Sequence, residues 1–155
     1  MNYWLMKSEP DVFSFDDLMR SPGRRTCWDG VRNYQARNLL RDAIQPGDGV
    51  LFYHSNANPS GVAGIARVVR GGYPDHTAFD PADPHYDPKS RPEAPTWYMV
   101  DIEAVEPLPR LLTLAEIKAA KGLEKMVLLT NSRLSVQPVT ESEWRIVRRL
   151  AGLKP

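Results

Sequence analysis

The chain has 155 residues with 20 basic and 19 acidic side chains, a net charge of +1. That length fits one domain, 1–155, able to bury a core without staples, and the single Cys27 excludes an intramolecular disulfide framework and a thiolate zinc cluster. Near-neutral charge excludes a basic coat over the whole surface, so any nucleic-acid binding has to come from a local patch and a pocket.

In chain order, Asn2–Lys7 reads as a short aromatic-rich strand stopped by Pro10. Ser14-Phe15-Asp16-Asp17 is a capping box with Asp in place of Glu, opening a helix to Arg20. Asn33–Ala43 spaces Tyr34, Leu39, Leu40 and Ala43 for an amphipathic helix, and Pro46-Gly47-Asp48-Gly49 is a turn. Val50–His54, Gly61–Arg70 and Thr96–Val105 are strands, the last alternating Tyr98, Val100, Ile102 and Ala104 against Asp101 and Glu103. Thr113 and Thr140 open capped helices that close at Gly122 and Gly152. A short helix over Leu123–Leu129 and a strand over Arg133–Val139 lie between them. Val50–Arg70 has no crossover helix, so the class is α+β, with a mixed or antiparallel sheet curved into a small barrel flanked by helices.

Eight of the 14 prolines lie between Pro74 and Pro109. The segment 81–95 is neither helix nor central strand. Tyr73, Phe79, Tyr86 and Trp97 punctuate it, unlike a disordered linker, so 74–95 is expected to be an ordered loop pinned by aromatic anchors. No apolar run approaches the roughly 18 residues of a membrane span. The N-terminus lacks a basic region followed by a signal-length apolar core. A cytoplasmic or nuclear-type compartment without a membrane partner is the default.

Four segments place polar groups beside aromatics where strands end. Lys7, Ser8 and Glu9 leave the first strand together. Trp28 sits between turn-forming stretches, with Arg32 suited to phosphate and Asn33 to a cap or a base edge; the alternative is a core Trp28 beside a plain turn at Asp29-Gly30. Tyr53-His54-Ser55 end a strand, and the chain returns through Gly61 and Gly64, which permit close approach of a ligand or of backbone. Ser135 and Gln137 share one face, where an amide can read a base or satisfy backbone. There is no phosphate loop, nucleophile elbow or spaced metal motif; His76 and His85 among Asp75, Asp80, Asp83 and Asp87 are a weak divalent candidate, and only Arg24 and Arg25 stand near Cys27 to favour a thiolate. No cofactor or metal is expected.

The motifs Tyr3–Pro10, Trp28–Asn38, Phe52–Asn56, Tyr73–Asp75, Tyr86–Ser90 and Arg133–Val139 closely resemble the EVE domain family, over Met1 to about Gly152. The family includes bacterial single-domain proteins. The resemblance implies a PUA-like fold, a small and mostly antiparallel β-barrel with helices around it. It also implies a non-catalytic module that reads a modified base, notably a modified cytosine in DNA, in an aromatic pocket. In the related YTH domains a Lys-Ser pair and a Trp border a methylated-base pocket; the matching positions are Lys7, Ser8 and Trp28, with Tyr53-His54-Ser55-Asn56 as a second wall. The second cage Trp of those domains has no counterpart in Gly71–Pro81, leaving Tyr73 or Phe79.

The expected pocket is therefore Trp4, Lys7, Ser8, Glu9, Trp28, Asn33, Tyr53, His54, Ser55 and Gln137, with Arg24, Arg25 and Arg32 on phosphates. The loop carrying Tyr86, Asp87 and Lys89 is a candidate lid, and a monomer is favoured. Three readings stay open beside this one: a PUA-like RNA-binding protein, an enzyme on nucleotides or nucleic acid with His54 or Glu9 as acid–base group, and an adaptor that has lost nucleic-acid binding.

Overall fold

A computed structural model describes residues 1–154. Alternation along β1 (Tyr3–Ser8) sets the frame: Trp4 and Met6 enter one apolar layer, Leu5 the opposite one. β1 is buried on both faces and lies inside the sheet, next to its edge. β1 pairs in parallel with β3 (Gly49–His54) and antiparallel with β6 (Val136–Val139). Beyond β3 follow β4 (Gly61–Pro74), β5 (Tyr98–Thr113) and β2 (Arg25–Cys27), all antiparallel, giving the order β2-β5-β4-β3-β1-β6.

The mixed sheet agrees with the sequence, and the closed barrel does not. β2 and β6 are edges, and no ladder joins them among the described residues. The sheet instead buries both faces under helices. α1 (Phe15–Arg20) and α2 (Tyr34–Asn38), which continues as a π turn over Leu39–Ala43, supply Phe15, Leu18, Ala36 and Leu40 to the first layer. α3 (Leu114–Ala119), α4 (Val127–Thr130) and α5 (Glu141–Leu150) supply Ile117, Leu128 and Val147 to the second.

The capping boxes at Ser14, Thr113 and Thr140 all form with both arms, so these helix starts are local properties of the chain. The long strands are not local. β5 runs through Pro107 and Pro109 because the β4–β5 ladder shifts register four times, and Pro107 falls opposite Gly64 at one shift. Gly64 is also where the Phe15 ring docks: a Cβ there would meet the ring at 2.4 Å. Gly61 likewise admits the Leu112 backbone, so both glycines serve packing of the protein on itself.

Candidate functional site

Where β1 ends, its last residues, the turn after it, β2 and the Pro-rich segment enclose a cleft of about 440 Å³, within the range that holds small organic ligands. Lys7 and Ser8 come from β1, with Val12 and Phe13 following. Thr26 and Cys27 come from β2, and Trp28 to Arg32 from the next loop. His85 reaches in from the Pro-rich segment, and Ser135 from just before β6.

Packing fixes the aromatic wall. The Trp28 ring meets Phe52 edge-on, centroids 5.4 Å apart and planes at 87°, and Phe52 is braced in turn by Phe15 at 5.4 Å and 76°. The Trp28 N–H donates to the Val100 carbonyl (2.7 Å). The opposite rim is as firm: Val12 and Phe13 N–H both donate to the Glu9 carbonyl, and the Ser8 hydroxyl donates to the Phe13 carbonyl (2.6 Å). Val12 stands 75% exposed on this turn. The Lys7 ammonium donates to the Ser132 carbonyl and lies 5.8 Å from the Tyr53 ring centre; burial lowers its pKa.

A buried carboxylate ties the cleft to the Pro-rich segment. Asp75, fully buried, accepts from the Gly30 N–H (2.8 Å), the Arg32 guanidinium (3.0 Å) and the Thr77 N–H and hydroxyl (2.9 and 2.6 Å). Burial alone would raise its pKa; these bonds bring it below the ordinary value. Arg32 also donates to the His85 carbonyl (2.7 Å) and lies over the Trp97 ring. Trp97 donates its indole N–H to Asp87 (2.7 Å). Gly30 has φ +76°, and a Cβ there would meet the His85 ring at 2.6 Å, so only glycine lets the loop pass beneath it.

Of the residues expected to form the pocket or contact phosphate, Lys7, Ser8, Trp28 and Arg32 line this cleft, together with Ser135 noted beside Gln137. The others sit elsewhere for clear reasons. Trp4 is a core residue whose indole N–H donates to buried Asp48 (2.9 Å), a carboxylate that also accepts from Asn2 and Gln45 N–H. Tyr53 belongs to the second apolar layer. Asn33 caps α2 through the Ala36 N–H (2.9 Å). His54 Nε2 accepts from the Phe15 N–H (3.0 Å), which requires a neutral ring, and burial lowers its pKa to suit. Glu9 accepts from the Asn56 amide, and the Ser55 N–H donates to the Ser8 carbonyl, so both hold the strand ends.

Gln137 is fully buried and donates to the Leu134 carbonyl (2.7 Å), while its Oε1 lacks a partner among the described residues. Arg25 shares Glu103 with Arg67, and Arg24 donates to the Val105 carbonyl. Tyr73 donates to Asp101 under Arg70, and neither it nor Phe79 lines the cleft.

Val12, Phe13, Thr26, Val31 and His85 went unrecognised as wall. Their signal is three-dimensional, since no local pattern brings β2 or residue 85 to the end of β1. Asp29 and Cys27 were weighed only for chemistry. Enclosure raises the pKa of both: after burial, Asp75 is the main further cause for Asp29, and Asp29 for Cys27. Both causes favour the Cys27 thiol over its thiolate. No group of three His, Cys, Asp or Glu residues is placed to hold a metal among the described residues, and no helix among them is long and apolar enough to cross a membrane.

The class of protein is thus a small α+β domain, an open mixed sheet covered by helices with an aromatic-walled cleft at the end of its interior strand β1. The EVE domain model matches residues 2–150, and the chain belongs to that family. It is 46% identical to human thymocyte nuclear protein 1 over 99% of this chain and 76% of the relative. A crystal structure of human THYN1 protein in complex with 5-methylcytosine-containing DNA superposes with a TM-score of 0.93 at 46% identity, covering 100% of each chain. A hypothetical protein from Leishmania major superposes equally well, TM-score 0.93 at 49% identity over 98% of this chain and 95% of that one.

Proposed function

We propose that this protein is a non-catalytic DNA-binding module that reads a modified cytosine, 5-methylcytosine in the first instance, by taking one extruded nucleotide into the cleft. The observation that carries this is the whole-length likeness to a protein solved with 5-methylcytosine DNA, in a chain whose rigid cleft has a Trp wall. Extruding a base costs a few kcal/mol, least at weak pairs. Stacking on an aromatic ring returns about 1–3 kcal/mol, and hydrogen bonding by the Ser135 side of the cleft adds to it.

Charge agrees with this mode. Arg24, Arg25 and Arg32 are engaged within the protein and Lys7 donates to the Ser132 carbonyl, so phosphate contact falls first to Arg133, exposed on the turn between Ser132 and Ser135. The acid–base candidates named in the sequence are held in structural contacts: His54 accepts from the Phe15 N–H and Glu9 from the Asn56 amide, while burial raises the Cys27 pKa.

The test is a titration of two duplexes differing in one methyl group, repeated across salt and with an RNA competitor. The methylated duplex is expected to bind at least tenfold tighter, the effect of one well-packed methyl. Log K against log[salt] is expected to be shallower than about −6. Equal affinities would overturn the reading, a steep slope would indicate a broad electrostatic interface, and preferred RNA would transfer the site to RNA.

A further inference from the structure

We propose that Asp29 makes this cleft choose cytosine-type bases over thymine-type bases, by accepting a hydrogen bond from the exocyclic amine at ring position 4. The inference rests on the reading that a flipped base enters the cleft.

The problem it answers is chemical. 5-Methylcytosine and thymine share ring size, stacking face and the methyl at position 5. They differ where cytosine presents an amine donor beside a bare N3, and thymine a carbonyl beside an N3–H. A cleft that read only stacking and the methyl would accept both, and Trp28, Val12, Phe13 and Val31 can read nothing else. The polar wall is largely spent. The Ser8 hydroxyl donates to Phe13, and Arg32 is divided between Asp75 and the His85 carbonyl.

Asp29 is different. It follows the stacking wall directly and lines the cleft. Its backbone is held on both sides, by the Trp28 N–H on Val100 (2.7 Å) and the Gly30 N–H on Asp75 (2.8 Å). Its carboxylate has no hydrogen bond from another residue and no ion pair among the described residues; its own backbone N–H is its one donor. An ionised carboxylate only accepts, so it matches the cytosine amine and opposes the thymine carbonyl. Enclosure and the Asp75 charge raise the Asp29 pKa, so its anion gains from any donor brought to it. An amide at the same place offers both an acceptor and a donor and loses the distinction.

The experiment compares wild-type protein and Asp29→Asn on single-stranded oligonucleotides carrying one 5-methylcytosine or one thymine, which removes differences in base pairing. Wild type is expected to prefer 5-methylcytosine tenfold or more. Asp29→Asn is expected to hold the thermal midpoint of wild type and to bring the two affinities within about twofold, whatever happens to absolute affinity. A full preference in Asp29→Asn overturns the role of Asp29 and leaves the cleft reading intact. Wild-type protein that binds both oligonucleotides equally overturns the role of Asp29 and leaves the cleft reading intact, whereas wild-type protein that binds neither overturns the cleft reading and the Asp29 role with it.

Discussion

Trp28→Leu is expected to reduce affinity for a 5-methylcytosine duplex by tenfold or more while leaving the protein folded. Alanine would not spare the fold here, because Trp28 is only 7% exposed and packs edge-on against Phe52 in the first apolar layer. Removing so large a buried ring for alanine costs about 3–5 kcal/mol, enough to confuse unfolding with loss of binding. Leucine keeps much of the apolar volume and removes the stacking face, whose loss is worth about 1–3 kcal/mol per base. Fluorescence anisotropy with a labelled duplex and a thermal melt separate the two effects. Unchanged affinity in a folded Trp28→Leu protein removes this ring from the site.

Asp75→Ala is expected to be the most damaging single change outside the two apolar layers. It leaves the Arg32 cation, the Gly30 N–H and both Thr77 donors without their shared acceptor. Breaking a buried ion pair from one side costs about 3–5 kcal/mol, and for a domain of this size the melting midpoint should fall on the order of 10 °C. Binding should fall with it, because the same carboxylate fixes the loop carrying Trp28 and Asp29. The pH dependence has a definite sign. Folding lowers the Asp75 pKa, so the unfolded chain takes up the proton first; the stabilisation is complete above about pH 4 and is lost as pH falls through the folded value. The difference in urea midpoint between wild type and Asp75→Ala should therefore be largest near neutrality and shrink in acid. A difference independent of pH would contradict the ion-pair role.

What could be read from the chain divides along the range of the interactions. Capping boxes at Ser14, Thr113 and Thr140 and alternation along Tyr98–Ala104 depend on residues a few positions apart, and they form where expected. β2 is three residues long and exists only because Arg25–Cys27 pairs with Asp101–Glu103. The strand through Pro107 and Pro109 depends on register shifts in its partner. The open sheet is likewise a long-range outcome, shown by the absence of a ladder between the edge strands β2 and β6 among the described residues.

The site shows the same division. Lys7, Ser8, Trp28 and Arg32 were legible as strand-end and loop residues, but Trp4 and Tyr53 point into opposite apolar layers instead. The polar residues at strand ends mostly hold those ends, as Glu9, His54 and Ser55 do. Asp75, which organises the cleft, looked like one acid among several in a loop. Its importance comes from donors 43 and 45 positions away, at Arg32 and Gly30.

The most direct measurement is the position of the methylated base in a crystal structure of this protein with a duplex carrying one 5-methylcytosine. The expected result is that base out of its stack, in the cleft between Trp28 and the Ser8 to Phe13 rim, with Asp29 at its amine. A methylated base still stacked in the duplex, or held by another surface while the cleft stays empty, would contradict a reader that works by base extrusion.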